Sequence, residues 1–416
     1  MKIFISVGEP SGDLHGANLV RHLRRQRPKA KLVGYGGTRM AEAGCELLEN
    51  TSDLAVMWLS RVILRLGTFL RLLLRANRYF RDERPDAVVL IDFPGFNWWI
   101  ARRAKAHGIP VFYYGAPQIW AWARWRVGKM RRLIDHVLCK LPFEEDWYRR
   151  QGCNATYVGH PYFDELRGQR LDEDFIAQHQ AGSPLVAILP GSRTQEVTGN
   201  FRWLLRAAEH TRAQVPAVRF AVACYRESHA RRVRKMLAGS DLPIEVFVRQ
   251  TPELIHLASC CMAVSGSVSL ELLYHAKPTV ILYWVSRPAY FIQRFFRKVK
   301  YITLVNLLST EELFPRDLRP YDPQQPDAAS VLMPEYLTCQ DRSPQIARHV
   351  VEWLTDPDQR DQRVAALAAL RDRVGHGGAS QRAADYLLGA LDQSYTQRHV
   401  DAAAPDTGSL PQRLAG

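Results

Sequence analysis

Asp92 ends the apolar run Leu90-Ile91 and precedes Phe93-Pro94-Gly95-Phe96-Asn97. A carboxylate among apolar neighbours is costly unless it is paired or used. At the carboxyl edge of a parallel strand it would point into a cleft, where a general base for a hydroxyl nucleophile belongs. The competing reading is an N-cap for the following helix, which Pro94 complicates.

Two turns in the second half suit phosphate and ribose. In Leu189-Pro190-Gly191-Ser192-Arg193-Thr194-Gln195-Glu196, Gly191 lets backbone approach a phosphate and Ser192 can donate. Arg193 can grip phosphate oxygens bidentately. The Lys-Ser/Thr pair of a P-loop is missing, and an ordinary strand-to-helix turn is the alternative. In Ser265-Gly266-Ser267-Val268-Ser269-Leu270-Glu271, Glu271 could accept from ribose hydroxyls or close a capping box with Ser267 or Val268 near the cap.

Three further stretches carry less specific signals. Gly8-Glu9-Pro10-Ser11-Gly12-Asp13 follows a strand and opens a helix that Ser11 can cap. Its spacing is not that of a dinucleotide site. Pro117-Gln118-Ile119-Trp120-Ala121-Trp122, with Arg124, Arg126, Lys129, Arg131 and Arg132 after it, could stack bases, line a sugar or lipid pocket, or form a solvated basic helix over a packed Trp. Leu54–Arg75 and Tyr290–Lys300 are apolar with regular cations. They suit either interfacial helices on anionic lipid or amphipathic helices packed on a core. Asp172-Glu173-Asp174 and Asp356-Pro357-Asp358 follow no buried strand and read as solvated surface, so no metal is expected.

The elements that position these residues alternate. Apolar runs at Lys2–Val7, Leu32–Tyr35, Ala87–Ile91, Pro110–Tyr114 and His136–Leu141 lead into turns and helical patterns. A second series follows at Leu185–Leu189, Arg219–Cys224, Ile244–Val248, Met262–Val264 and Thr279–Tyr283. Such alternation predicts an α/β fold of two doubly wound, Rossmann-like parallel sheets, facing each other across a ligand cleft. The expected organisation is a first domain over 1–165, a linker over 166–183, a second domain over 184–345, helices over 346–395 and a disordered tail over 396–416. Asp317–Ser330, with Pro320, Pro323 and Pro326, reads as a loop insertion.

Composition bounds the class. The 416 residues fit two or three domains. Hydrophobic residues at 47% and charged residues at 24% exclude wholesale disorder. A net charge of +14 calls for an acidic partner: nucleic acid, an anionic membrane surface or a phosphorylated substrate. No charge-free apolar stretch is long enough to span a bilayer, and the first residues read as a strand rather than a signal peptide. Seven cysteines without a C-x-x-C pattern suggest reduced thiols and a cytoplasmic address.

Together these segments resemble the lipid-A-disaccharide synthase family. The resemblance rests on G-E-x-S-G-D from Gly8, G-G-x-R-M from Gly36, I-D-x-P-x-F-N from Ile91, P-x-x-W-A-W from Pro117 and L-P-F-E from Leu141. It continues with V-G-H-P from Val158, L-P-G-S-R-x-x-E from Leu189, S-G-x-x-x-L-E from Ser265 and V-K-Y-I-x-L-x-N-L-L from Val299. It implies a GT-B fold and a peripheral enzyme on the cytoplasmic face of the inner membrane. That enzyme joins UDP-2,3-diacylglucosamine to 2,3-diacylglucosamine 1-phosphate, with inversion, releasing UDP and using no metal or cofactor.

On this sequence the resemblance makes Asp92 the base. Gly191, Ser192, Arg193, Ser267, Glu271 and Asn306 fall on the UDP side. Ser11, Gly12, Asp13 and Trp120 are expected on the acceptor side, and Met57, Trp58, Arg61, Arg65 and Arg71 against the membrane. A homodimer that exchanges C-terminal parts is allowed; a nucleic-acid partner is not expected. Two departures stand out. Gly95 replaces a second Asp, and the loop after Leu308 is long, displacing the segment Val331–Leu337. The alternatives are another UDP-sugar-dependent GT-B enzyme or epimerase, or a nucleic-acid-binding α/β protein.

Overall fold

The computed structural model describes residues 1–51 and 66–403. The chain divides into two compact units. The first comprises Met1–Pro117, Val127–Gly159 and the chain from Gly378 onward; the second comprises Gln118–Arg126 and His160–Gly377.

The first unit holds a seven-stranded parallel sheet in the order β3-β2-β1-β4-β5-β6-β7. Its strands are β1 (Lys2–Val7), β2 (Lys31–Gly36), β3 (Glu46–Asn50), β4 (Ala87–Ile91), β5 (Val111–Tyr114), β6 (His136–Cys139) and β7 (Ala155–Tyr157). Both faces are covered, so β1 and β4 are nearly continuous apolar runs rather than alternating ones. Ile3, Ile5 and Val7 face a core shared with the helix Pro10–Gln26 and with Ala383, Leu387 and Leu391 of the helix Ala379–Ala403. On the opposite face, Phe4 meets Tyr35 and Phe80 edge-on at 5.3 and 4.9 Å. Strand order reverses between β1 and β4, and open α/β sheets bind ligands beyond the carboxyl ends at such a point. The segments from Gly8 and from Asp92 leave there.

The second unit holds a six-stranded parallel sheet in the order β10-β9-β8-β11-β12-β13. Its strands are β8 (Leu185–Leu189), β9 (Arg219–Cys224), β10 (Ile244–Val248), β11 (Cys260–Val264), β12 (Thr279–Trp284) and β13 (Glu335–Thr338). Here the order reverses between β8 and β11, whose ends lead into Pro190–Arg193 and Ser265–Ser267.

Several elements differ from expectation. The polar stretch over 166–183 includes the helix Glu173–His179, which Asp172 caps by accepting from the Phe175 N–H, so its polarity is that of a short surface helix. Asp356 likewise caps the helix Pro357–Val374. The last helix runs to Ala403 and, from Gly378 on, the chain groups with the first unit; of the expected tail, 404–416 lies outside the described residues. Three strands, β3, β7 and β13, escape a periodicity argument because none carries more than two apolar residues.

Candidate active site

Asp92 leaves β4 with a φ of +47°, and Phe93 follows with +46°. Two successive non-glycine residues in the left-handed region cost about 1–3 kcal/mol each and persist only where surroundings hold them. Here Asn97 Nδ2 donates to the Asp92 carbonyl at 2.8 Å, and the Tyr113 hydroxyl donates to the same oxygen at 2.7 Å. Asn97 is fully buried and also accepts from Ser6 Oγ at 2.7 Å. The bend turns the carboxylate out of the strand line. Phe93, not Asp92, takes the N-cap position of the helix Pro94–Ala106, so the N-cap reading of Asp92 does not hold. Lys140 Nζ lies 3.1 Å from Asp92 Oδ1. A Cβ at Gly95 would meet nothing within 4 Å, so the missing second carboxylate leaves open space there.

Gly12 lies beside this carboxylate: a Cβ there would stand 3.6 Å from Asp92 Oδ2. Ser11 is exposed but caps nothing, because Glu9 is the N-cap and Pro10, with its preset φ, opens the helix. The Asp13 carboxylate is buried and accepts from the backbone N–H groups of Gly37, Arg39 and Met40 at 2.6, 3.2 and 3.3 Å. Asp13 thus holds the turn after β2, which links the motif from Gly8 to the one from Gly36. Trp120 is fully buried, on a segment that groups with the second unit.

In the second unit the turn after β8 is organised by Glu196. Its Oε2 accepts from the backbone N–H groups of Ser192 and Arg193, each at 3.1 Å, and its Oε1 pairs with Arg193 at 2.8 Å. Gly191 sits at φ +110°, where a Cβ would fall 2.7 Å from the Glu196 Cβ. Only glycine fits both demands. Arg193 itself is exposed, and its guanidinium pairs with Glu196.

Glu271 is buried, and its Oε2 accepts from the Tyr162 hydroxyl at 2.8 Å while Oε1 has no hydrogen-bond partner. Burial pushes the carboxyl above its ordinary range, with the Tyr162 hydrogen bond opposing. Ser267 occupies the N-cap but makes no side-chain capping bond, so no capping box forms. Asn306 is fully buried: it donates to the Met333 carbonyl at 2.7 Å and to Glu335 Oε2 at 3.0 Å, and accepts from the Met333 N–H. Glu335 also accepts from the N–H groups of Ile302 and Thr303 at 2.7 and 3.0 Å. This pair fixes the turn Ile302–Asn306.

Sequence reasoning assigned no role to Lys140, Tyr113, Tyr162, Glu196 or Glu335. One signal was present for Lys140: like Asp92, it is a lone charge closing an apolar strand.

Met57, Trp58, Arg61 and Arg65 lie outside the described residues; Arg71 is exposed on the helix Leu66–Glu83. Beside it Leu70 and Leu74 are more than half exposed, and Arg75 and Arg78 share that side. The helix Arg287–Phe296 buries no residue; Phe295 is 78% exposed, and Trp125 packs on Phe296 at 6.1 Å. Among the described residues, no helix is long and apolar enough to cross a membrane, and no group of three His, Cys, Asp or Glu side chains could hold a metal.

Solved structures with this architecture include the UDP-GlcNAc 2-epimerase from Neisseria meningitidis bound to UDP-GlcNAc. It is 11% identical, with a TM-score of 0.61 over 94% of this chain and 100% of that one. A calicheamicin glycosyltransferase is 15% identical, with a TM-score of 0.53 over 94% and 98%. These likenesses establish the two-domain GT-B fold. The lipid-A-disaccharide synthase of Geobacter sulfurreducens is 33% identical over 392 residues, covering 94% of this chain and 97% of the relative. Residues 3–355 match the family model described as Lipid-A-disaccharide synthetase. The chain therefore belongs to the lipid-A-disaccharide synthase family and is a glycosyltransferase of lipid A biosynthesis.

Proposed function

We propose that this chain joins UDP-2,3-diacylglucosamine to 2,3-diacylglucosamine 1-phosphate, with Asp92 as the general base. The observation that carries the assignment is the Asp92 carboxylate at the strand-order reversal of the first unit, on a left-handed bend tied down by Asn97 and Tyr113. Asp92 takes the proton of the acceptor 6-hydroxyl as its oxygen attacks the donor anomeric carbon. The bond from that carbon to the diphosphate breaks, UDP leaves with the electron pair, and the new linkage is inverted to β.

On the donor side, Arg193 and the Ser192 hydroxyl meet the diphosphate, with Gly191 giving the backbone its close approach. Glu271 Oε1 accepts from the ribose, and Ser267 lies one turn before it. Asn306, through Glu335, sets the turn Ile302–Asn306 against which the donor rests. Ser11 and Gly12 line the acceptor side and Asp13 supports it from within, while Trp120 is assigned to that side by its place in the P-x-x-W-A-W motif.

The membrane-facing surfaces are the exposed side of Leu66–Glu83, carrying Leu70, Arg71 and Leu74, and the apolar helix Arg287–Phe296. Apolar side chains interleaved with arginine suit the headgroup region of an anionic leaflet, which fits a peripheral enzyme at the cytoplasmic face. Release of UDP from the two acylated substrates by detergent-solubilised protein tests the assignment. Folded protein that releases none contradicts it.

A further inference from the structure

We propose that Lys140 is a positioning residue that holds Asp92 by one oxygen so that the other faces the acceptor hydroxyl. This rests on Asp92 being the base. Lys140 Nζ meets Asp92 Oδ1 at 3.1 Å, with the two side chains only 14% and 21% exposed. Oδ2 carries no part of that pair and lies beside Gly12, where a Cβ would stand 3.6 Å from it. The ion pair therefore separates the two oxygens by task.

The lysine is itself built into place from two sides. It follows β6, and its backbone N–H and that of Leu141 both donate to Glu144 Oε2 at 3.0 Å. Glu144 is fully buried, so this anchor is rigid. Across from it, Gly115 sits at φ +71°, and a Cβ there would lie 3.1 Å from Lys140 Cδ and 3.2 Å from Cε and Nζ. The glycine makes the bed in which the lysine stem lies. Burial acts to lower the ammonium's pKa, but Asp92, Glu144 and Glu9 outweigh it and the net direction is up, so Lys140 stays charged.

The rival role for such a cation is direct contact with a substrate phosphate, and kinetics separate the two. UDP release is measured on the full chain with Lys140→Met, Lys140→Arg, Asp92→Asn and the Asp92→Asn/Lys140→Met double variant. A positioning role predicts that Lys140→Met lowers kcat about 10- to 100-fold, with both KM values within about twofold. Lys140→Arg restores most of the loss. In the Asp92→Asn background, Lys140→Met costs less than about twofold more, because its partner is already gone.

A kcat within about twofold of wild type, a loss confined to KM, or an equal loss in both backgrounds overturns the proposal. Should Lys140→Met not fold, Lys140→Gln, which keeps a donor without the charge, is held to the same outcomes. An active Asp92→Asn variant rejects the base assignment and the lysine role with it. An impaired Asp92→Asn beside a normal Lys140→Met rejects only the lysine role.

Discussion

The Tyr162 hydroxyl donates to Glu271 Oε2 at 2.8 Å, across 109 residues of sequence. This bond joins the residue after the V-G-H-P segment to the helix that follows β11, so two motifs that look independent support one carboxylate. It occupies one oxygen and leaves Oε1 without a partner.

If Glu271 accepts from the donor's ribose, Glu271→Ala raises the KM for the UDP-sugar about 10- to 100-fold, as expected for a lost hydrogen bond to a charged group. Tyr162→Phe, which only frees the carboxylate, has a smaller effect in the same direction. Steady-state kinetics with varied donor check this. An unchanged donor KM in Glu271→Ala removes it from the nucleotide site.

Gly191→Ala combines a φ of +110° with a Cβ 2.7 Å from that of Glu196. The second unit loses about 1–3 kcal/mol of stability, and UDP binding weakens because Glu196 must move off the Ser192 and Arg193 N–H groups. Thermal melts with and without UDP report both effects. A variant that melts and binds like wild type contradicts the packing described here.

His349 is driven down to about 4 by burial, with Arg363 and Arg348 adding to the effect. Its Nε2 lies 3.0 Å from the Tyr336 hydroxyl. Between that value and its ordinary 6.5 the unfolded chain binds more protons than the folded one. The stabilising effect of neutral His349 is therefore complete above about pH 6.5 and drains as the pH falls towards 4, by about 1–2 kcal/mol at pH 5. His349→Gln should shrink the difference in melting temperature between pH 7 and pH 5. An unchanged difference rules His349 out as its source.

Replacing Leu70, Arg71 and Leu74 by Ser, or Phe291 and Phe295 by Ser, should weaken sedimentation with anionic vesicles while leaving the melting temperature near wild type. These side chains are exposed and support no core. Replacing Arg61, Arg65 and Arg71 by Ser should act the same way. Binding that persists in all three variants assigns these surfaces to something other than lipid.

Much of the fold was legible because both sheets are parallel and buried on both faces, which writes β1, β4, β8 and β9 as apolar runs with sharp ends. Asp92 was legible for the same reason, as a lone charge at such an end. What escaped depends on separation. Lys140 and Asp92 are 48 residues apart, and no local pattern announces that they meet. The Asp13 carboxylate looked like a ligand group, yet the chain spends it on the backbone of a turn 24 residues on. Glu196, which carried no assigned role, occupies the very N–H groups that a phosphate would seek. The grouping of Gln118–Arg126 with the second unit follows from packing, with Lys298 N–H donating to the Ala121 carbonyl at 2.7 Å. Composition carries no trace of that.

The central claim is that Asp92 takes the acceptor proton. Its most direct test is turnover of Asp92→Asn, measured as UDP release at saturating donor and acceptor. The substitution keeps the shape of the side chain and removes the base. A fall of about 10²-fold or more, with the variant folded and still binding UDP, is the predicted result. Turnover near wild type would contradict it.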